Sequence, residues 1–338
     1  MTQEELSREL ASKKKAFKNE SRIEECFHHK KDECNGLIKQ AHSIQRNGRL
    51  SILESDVNGN MCVYTFTSHK STKERWLDDL VPIGKKEAST FFGFCDYHDT
   101  NLFSPIENFQ FDKSLKHLFL HSYRSYAHSY HRKHEEYKIY NNPESEFVKS
   151  LPKDWVEILK MGVEMGVKDL KFYKHQLDAA LENEQYDFFK YLVYEKEGLY
   201  PFAVSSQISP TVSYKNKPMN NHLKPNEPYS QPILTFLPDR TTTFVILAIF
   251  PNDKNGEILL DELKELNAVE LEKVITSLII ANCENTFFSP KVWNKLNQNQ
   301  KRIFLDEYAI NTETEKYKNV FFKSRINFFS DFFEINNL

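Results

Sequence analysis

Cys26, Cys34, Cys95 and His98 are the residues whose types and spacing most plainly suggest chemistry. Thiolate and imidazole are the ligands of tetrahedral Zn2+, and structural zinc sites usually draw them from two short segments that the fold brings together. Cys95-x2-His98 has the close spacing of a zinc knuckle, so both side chains can reach one ion. Cys26-x7-Cys34 is looser than the two- to four-residue gap common in such sites. The four together predict a structural Zn2+. The competing reading is that they are ordinary buried cysteines, which pack as small hydrophobes.

A second candidate lies in residues 113–138, KSLKHLFLHSYRSYAHSYHRKHEEYK, which carry five of the chain's 12 histidines. At 3.6 residues per turn, His117, His121, Arg124, His128, His131 and Glu135 share one helix face, opposite Leu115, Phe119, Leu120, Tyr123, Tyr126, Ala127 and Tyr130. Arg124, His128 and His131, with Arg132 and Lys133, form a candidate phosphate-binding set, because guanidinium forks match phosphate oxygens. A solvated polar face is the default alternative. His131 and Glu135, four apart, can share an ion or simply form a helix salt bridge. A small-molecule hydrolase built on that face lacks any H-E-x-x-H or H-x-D pairing.

Several elements must position these groups. Residues 4–18 read as a short charged helix, followed by CFHHKKDEC, a tight polar loop between two cysteines. Leu37–Ala41 reads as a strand delivering His42. RLSILESDVNGNMCVYTF reads as a β-hairpin turning at Asn58-Gly59. Residues 68–90 are charged and loop-like, FFGFC is a short strand, and a helix is expected from Asp99, with Asp99 or Thr100 as N-cap. Pro143 marks a domain boundary. Residues 154–197 read as two long helices. Strands follow in YPFAVSSQISPTVSY and PILTFLPDRTTTFVILAIF, then helices over 257–282 and 290–308. The aromatic tail from Asn319 is expected to dock on the core, since left free it would invite aggregation. The fold class expected is α+β. A zinc-centred, treble-clef-like domain spans 1–142, and a helical connector with a mixed α/β domain spans 143–338.

The 338-residue composition, with 28% charged residues and 14% aromatics, is that of a globular chain with ample core. A net charge of −3 gives no global electrostatic case for nucleic acid or membrane, so either would need a local patch. Five cysteines at uneven spacing do not form a disulfide framework. The N-terminus has no apolar signal region, and TTFVILAIF is too short to span a bilayer. The expectation is a cytoplasmic protein without a membrane partner. There is no Walker loop, dinucleotide fingerprint or serine elbow.

The order of parts, a cysteine pair, a strand ending in histidine, a hairpin, then C-x2-H opening a helix, resembles the ββα-metal nucleases of the HNH type built on a treble-clef zinc site. More narrowly, IKQAHSIQ, KKEASTFFGFCDYHDTNLFSPIE and LFLHSYRSYAHSYH resemble a family of bacterial zinc-binding proteins that carry those blocks. The resemblance covers residues 26 to about 135, with a fainter likeness in NCENTFFSPKVWNKL. It implies that His42 is a general base taking a proton from the attacking water. It also implies a divalent ion, Mg2+ or Mn2+, stabilising charge at a phosphate of DNA or RNA, and an orienting asparagine at Asn47, Asn58 or Asn60. The chain departs from the pattern at Ala41, where those nucleases often show a second histidine or an acid. The helix after Cys95 offers the catalytic ion only Asp99, Asn101 and Glu107, although His117, His121 or His128 could supply it from the next helix. The plainer reading of His42 is a core histidine bonded to backbone, or a zinc ligand in place of Cys26. The expected function is a zinc-stapled bacterial protein, either an HNH-like nuclease in a phage-defence or toxin-like role or a non-catalytic sensor or partner-binding module.

Overall fold

The computed structural model describes residues 12, 16–66, 79–220, 227–312 and 324–330. Residues 16–21 are helical; most of the helix expected over 4–18, residues 68–78 of the expected loop and much of the aromatic tail lie outside the described residues. Strand β1 (Ile38–His42) follows the first cysteine pair. β2 (Ser55–Val57) and β3 (Asn60–Thr65) form the expected hairpin. Asn58 and Gly59 both take positive φ (53° and 81°), as a type I′ turn requires. The first arm of that hairpin is shorter than expected. Residues 46–53 coil into helical turns that bury Arg49, Leu50 and Leu53, a helical spacing that the alternating pattern of RLSIL concealed.

β4 (Val81–Gly84) occupies part of the expected loop and pairs with β3. β5 (Thr90–Cys95) leads without interruption into helix α1 (Asp96–Asn108). The helix starts three residues before the expected cap, because the amides of Asp96 and Tyr97 donate to the carbonyls of Leu37 (3.0 Å) and Asn35 (3.2 Å). Those loop carbonyls satisfy donors that a side-chain cap would otherwise serve. Helices α2 (Leu115–Tyr140) and α3 (Lys153–Glu182) follow.

Residues 190–197, expected to be helical, form strand β6 (Lys190–Glu197). Tyr191 and Val193 pack in one apolar cluster and Leu192 and Tyr194 in another, a period of two rather than 3.6. β7 (Phe202–Gln207), β8 (Ile233–Asp239) and β9 (Thr242–Ile249) match the expected strands. Helices α4 (Lys254–Lys264) and α5 (Ala268–Asn282), strand β10 (Thr286–Phe288) and helices α6 (Pro290–Lys295) and α7 (Gln298–Thr312) complete the described elements.

Contact density divides the chain into two compact units, each assembled from three stretches. The first comprises Met1–Ala41, Phe91–Phe103 and Ala127–Glu184; the second comprises His42–Thr90, Ser104–Tyr126 and Gln185–Leu338. In the first, Phe27 meets Phe94 and Tyr130 edge-on, and Phe94 meets Phe91 and Phe103. α3 adds Val163, Val167, Leu170, Tyr173 and Leu177 to the buried residues of this unit.

The second unit is built on an antiparallel sheet in the order β2-β3-β10-β7-β8-β9-β6, with β4 beside β3. Phe202, Val204, Phe236, Val245, Leu247 and Ile249 face a core shared with α4, α5, α6, α7 and the tail residues Phe328 and Phe329. Ala203 and Phe287 face Ile44, Leu50 and Leu53 on the other side, and Ile246 and Phe244 face Phe111 and Leu118. Both faces are covered, so TTFVILAIF is continuously apolar instead of alternating. The described part of the aromatic tail docks as expected.

One ion pair is sealed into this unit. Arg49 donates through both Nη atoms to Asp239 (3.3 and 3.0 Å), both residues are buried, and the Phe111 amide donates to the same carboxylate (3.0 Å). Removing one partner of a buried pair strands the other charge, which costs about 3–5 kcal/mol. Asp239→Ala is therefore expected to lower unfolding stability by ~3 kcal/mol or more in a urea titration; a loss below ~1 kcal/mol would show that water reaches Arg49.

Candidate metal centre

The four sulfur and nitrogen candidates converge. Ligand atoms of Cys26, Cys34, Cys95 and His98 all lie within 4.8 Å of one another. Around His98 Nδ1 the sulfurs stand at 3.4 Å (Cys26), 3.6 Å (Cys34) and 3.2 Å (Cys95). A tetrahedral ion with Zn–S near 2.3 Å and Zn–N near 2.0–2.1 Å sets S···N edges of roughly 3.6 Å. These residues are close enough to hold a metal ion, and the set is compatible with Zn2+.

Each ligand is placed by a local device. Residues 25–27 lie along β5, with the amides of Glu25 and Phe27 donating to the carbonyls of Phe92 (3.3 Å) and Gly93 (2.6 Å), and this fixes Cys26. A single turn, Lys31–Glu33, brings the chain back at Cys34, and the Lys31 ammonium donates to the Cys26 carbonyl. Cys95 closes β5 and His98 sits in the first turn of α1, where the His98 amide meets Cys95 Sγ at 3.5 Å. Gly36 makes the loop's last bend at φ 79°, and a Cβ there would stand 2.8 Å from the Cβ of Asp96. The loop read from sequence as merely polar also supports the imidazole: His28 stacks on His98 (3.9 Å, 10°) and His29 on His28 (4.6 Å).

The thiols perturb one another. Burial and the neighbouring Cys26 and Cys95 push the Cys34 thiol up to about 12. Burial likewise raises Cys26. Burial would raise Cys95 too, but the amides of His98 and Asn35 and its two thiol neighbours hold it below the usual value. Burial pulls His98 below the usual histidine value, and the Glu33 carboxylate opposes it. Three sulfurs this close cannot all ionise unless a cation lies among them.

His42 falls in the second unit. Its Nδ1 lies 3.0 Å from the Ala88 carbonyl, so in the neutral ring Nδ1–H donates there and Nε2 carries the lone pair. Burial brings its pKa down to about 4, opposed by that hydrogen bond and by Glu107, and reinforced by Arg124 and Arg46. None of the three candidate asparagines holds the ring. Asn58 and Asn60 bond to each other in the hairpin turn, and Asn47 accepts from Arg46. The blocks around His42 are knitted by a buried polar network: Ser43 donates to the Ser89 carbonyl, the Ile44 amide donates to Ser89 Oγ, and Asn285 donates to Ser43 Oγ (2.8 Å). Gln45 donates to the Glu107 carbonyl and Arg124 to the Glu107 carboxylate (2.7 Å).

The helix face read as a candidate phosphate-binding set, with a solvated face as the alternative, is largely buried. His117, His121, Arg124, His131 and Glu135 are buried, and His128 is half-buried. Rings cover it: Phe111 lies against His117 and His121, and Phe91 against His128 and His131. Arg124 belongs to the second unit, whereas His128 and His131 belong to the first, where His131 faces Glu135 (3.4 Å) and Arg132 pairs with the same carboxylate. Sequence reasoning missed Glu107, Gln45 and Asp239 as partners, since their contacts span 17 to 190 residues.

Among the described residues, the Cys/His set is the one group of three or more His, Cys, Asp or Glu side chains close enough to share an ion. No described helix is long and apolar enough to cross a membrane. No family model, curated protein or solved structure matches the chain.

Two outcomes follow. Gly36→Ala forces a left-handed φ on a residue with a Cβ and drives that Cβ into Asp96, so a cost of about 1–3 kcal/mol should appear as weaker zinc retention against a competing chelator; unchanged retention would mean the loop does not need this bend. The second concerns acid. A histidine whose folded pKa is depressed to about 4 refuses a proton that the unfolded chain accepts below about 6.5. Stability from His42 is thus present above pH ~6.5 and drains as pH falls toward ~4, by at most ~1.4 kcal/mol per pH unit. Urea unfolding between pH 7 and 4.5 should show a shallower decline in His42→Gln than in the parent, and parallel declines would contradict the buried neutral ring.

Proposed function

We propose that the Cys26, Cys34, Cys95 and His98 cluster is a structural Zn2+ site and that it staples a metal-dependent, HNH-like nuclease acting on DNA or RNA. The observation that carries the zinc reading is the convergence of the four ligand atoms within 4.8 Å. Four protein ligands complete a tetrahedral shell and leave no open position, which suits a structural ion rather than a catalytic one. A cysteine loop, two paired strands and a helix whose first turn carries the last ligand follow the treble-clef order, as the resemblance implies.

The nuclease reading rests on His42. It ends the first of the paired strands, its tautomer is set by the Ala88 carbonyl, and it is neutral at physiological pH. Nε2 is therefore free to take a proton from water. The negative charge of a bound phosphodiester would raise its pKa toward neutrality, where a general base works best. Arg46 and Arg124 give the same surroundings positive charge for a phosphate. Mg2+ or Mn2+, when bound, supplies charge stabilisation at the phosphate. Glu107, whose charge acts on His42 and which pairs with Arg124, is the carboxylate that would hold it on exchanging that partner, since Mg2+ sites often combine one carboxylate with substrate phosphate and water. Such cutting fits a phage-defence or toxin-like role.

The second reading, a non-catalytic sensor or partner-binding module, is favoured by the absence among the described residues of a second ion-holding group. One experiment separates the two. Purified protein with Mg2+ or Mn2+ is expected to nick DNA or RNA, and His42→Ala should lower the rate at least ~100-fold, the low end for loss of a general base, with zinc content unchanged. Cleavage that persists in His42→Ala would eliminate this mechanism; no cleavage by the parent protein would leave the module.

A further inference from the structure

The four ligands of the first unit are not equally sheltered. Cys26 (3%), Cys95 (1%) and His98 (3%) are sealed from solvent, whereas Cys34 is exposed. Its Sγ is also the farthest of the three sulfurs from His98 Nδ1, at 3.6 Å. A shell of four protein ligands denies water a place on the ion, but it does not shield a sulfur that itself faces water. Holding a metal keeps Cys34 as the thiolate, which is the form of cysteine that attacks an oxidant. An accessible thiolate poised next to a second cysteine is the arrangement in which oxidation proceeds to a disulfide.

Cys26 is placed to be that second cysteine. All four ligand atoms lie within 4.8 Å of one another. The two sulfurs therefore need to close by less than ~3 Å to reach the S–S bond length. Regular structure fixes Cys26 and Cys95: the amides of Glu25 and Phe27 tie Cys26 to β5, and Cys95 ends β5 itself. Cys34 instead follows a single turn, closed by its own amide on the Lys31 carbonyl (3.2 Å), so the closing shift falls on its loop. Of the two thiol neighbours, Cys26 acts on Cys34 more strongly, and Cys95 Sγ already meets the His98 amide at 3.5 Å. Just beyond Cys34, the carbonyls of Asn35 and Leu37 cap α1, so a shift of this loop reaches the start of that helix.

We propose that Cys34 is a peroxide-modification site, with Cys26 as its resolving thiol, and that their oxidation to a disulfide ejects the zinc ion. The proposal rests on the zinc reading above and not on the nuclease reading. In the first step the Cys34 sulfur attacks a peroxide oxygen, the O–O bond breaks, and hydroxide leaves a sulfenic acid behind. In the second the Cys26 thiolate attacks that sulfur, the S–S bond forms, and the S–O bond breaks with loss of another hydroxide. Hydrogen peroxide gains two electrons, and each sulfur gives up one. The ion keeps only Cys95 and His98, half of a tetrahedral protein shell, and departs as Zn2+.

The test treats full-length, zinc-loaded protein with hydrogen peroxide, following zinc release with a colorimetric chelator and mapping disulfides by peptide mass spectrometry. The parent should release its zinc in step with formation of a Cys26–Cys34 disulfide, and dithiothreitol with added Zn2+ should restore the metal content. Cys34→His keeps four zinc-type ligands while removing the accessible sulfur, and should slow release at least ~10-fold. A parent purified without zinc overturns the zinc reading and this proposal together. A zinc-loaded parent that keeps its metal under peroxide, or loses it without a Cys26–Cys34 disulfide, overturns this proposal alone. Release from a zinc-loaded Cys34→His protein as fast as from the parent does the same; should that variant not retain zinc, the disulfide map of the parent decides.

Discussion

Three sulfurs gathered around one imidazole nitrogen are the constraint on which the first unit depends. Without a cation among them, ionising one thiol raises the cost of ionising the next, and the opposed shifts of Cys34 and Cys95 register that conflict. With a cation, the same proximity becomes favourable, and the binding free energy is also folding free energy. The consequence reaches past the four ligands. Cys26 is tied to β5, Cys34 to the loop that satisfies the first amides of α1, and His98 to that helix itself. A strand, a loop and a helix therefore converge on one cluster.

The second unit obeys a different logic. Its sheet is buried on both faces, so apolar burial supplies the stability, and some of the polar groups inside are held in tightly paired sets. Asp239 illustrates this, accepting from both the Arg49 guanidinium and the Phe111 amide. The same economy shapes the surroundings of His42. Ser43, Ser89 and Asn285 satisfy one another, and Arg124 is held by Glu107. Burial keeps His42 neutral and the Ala88 carbonyl orients its ring, and those are the two properties a base would need.

Much of this was legible in the sequence where chemistry and spacing coincide. Cys95-x2-His98 announced itself by residue type, and Asn58-Gly59 by the positive φ that few residues tolerate. The strands of PILTFLPDRTTTFVILAIF were visible as apolar runs around a turn. What stayed hidden depends on distant partners. The histidine face of α2 looked like either a phosphate site or a solvated face because polarity was judged from one helix alone; Phe91, Phe111, Glu107 and Glu135 pack against it. β6 looked helical because charged residues dilute its period of two, which only the full pairing with β9 reveals. Residues 46–53 turned helical because Leu50 and Leu53 must meet the same sheet face, a demand invisible locally.

Zinc K-edge X-ray absorption on the native protein, with metal content determined on the same sample, probes the anchor most directly. The account predicts one zinc per chain in a first shell of three sulfurs near 2.3 Å and one nitrogen near 2.0 Å, with the sulfur count falling and the metal largely lost in Cys95→Ser. A chain isolated without zinc, or zinc bound through oxygen and nitrogen alone, would contradict it.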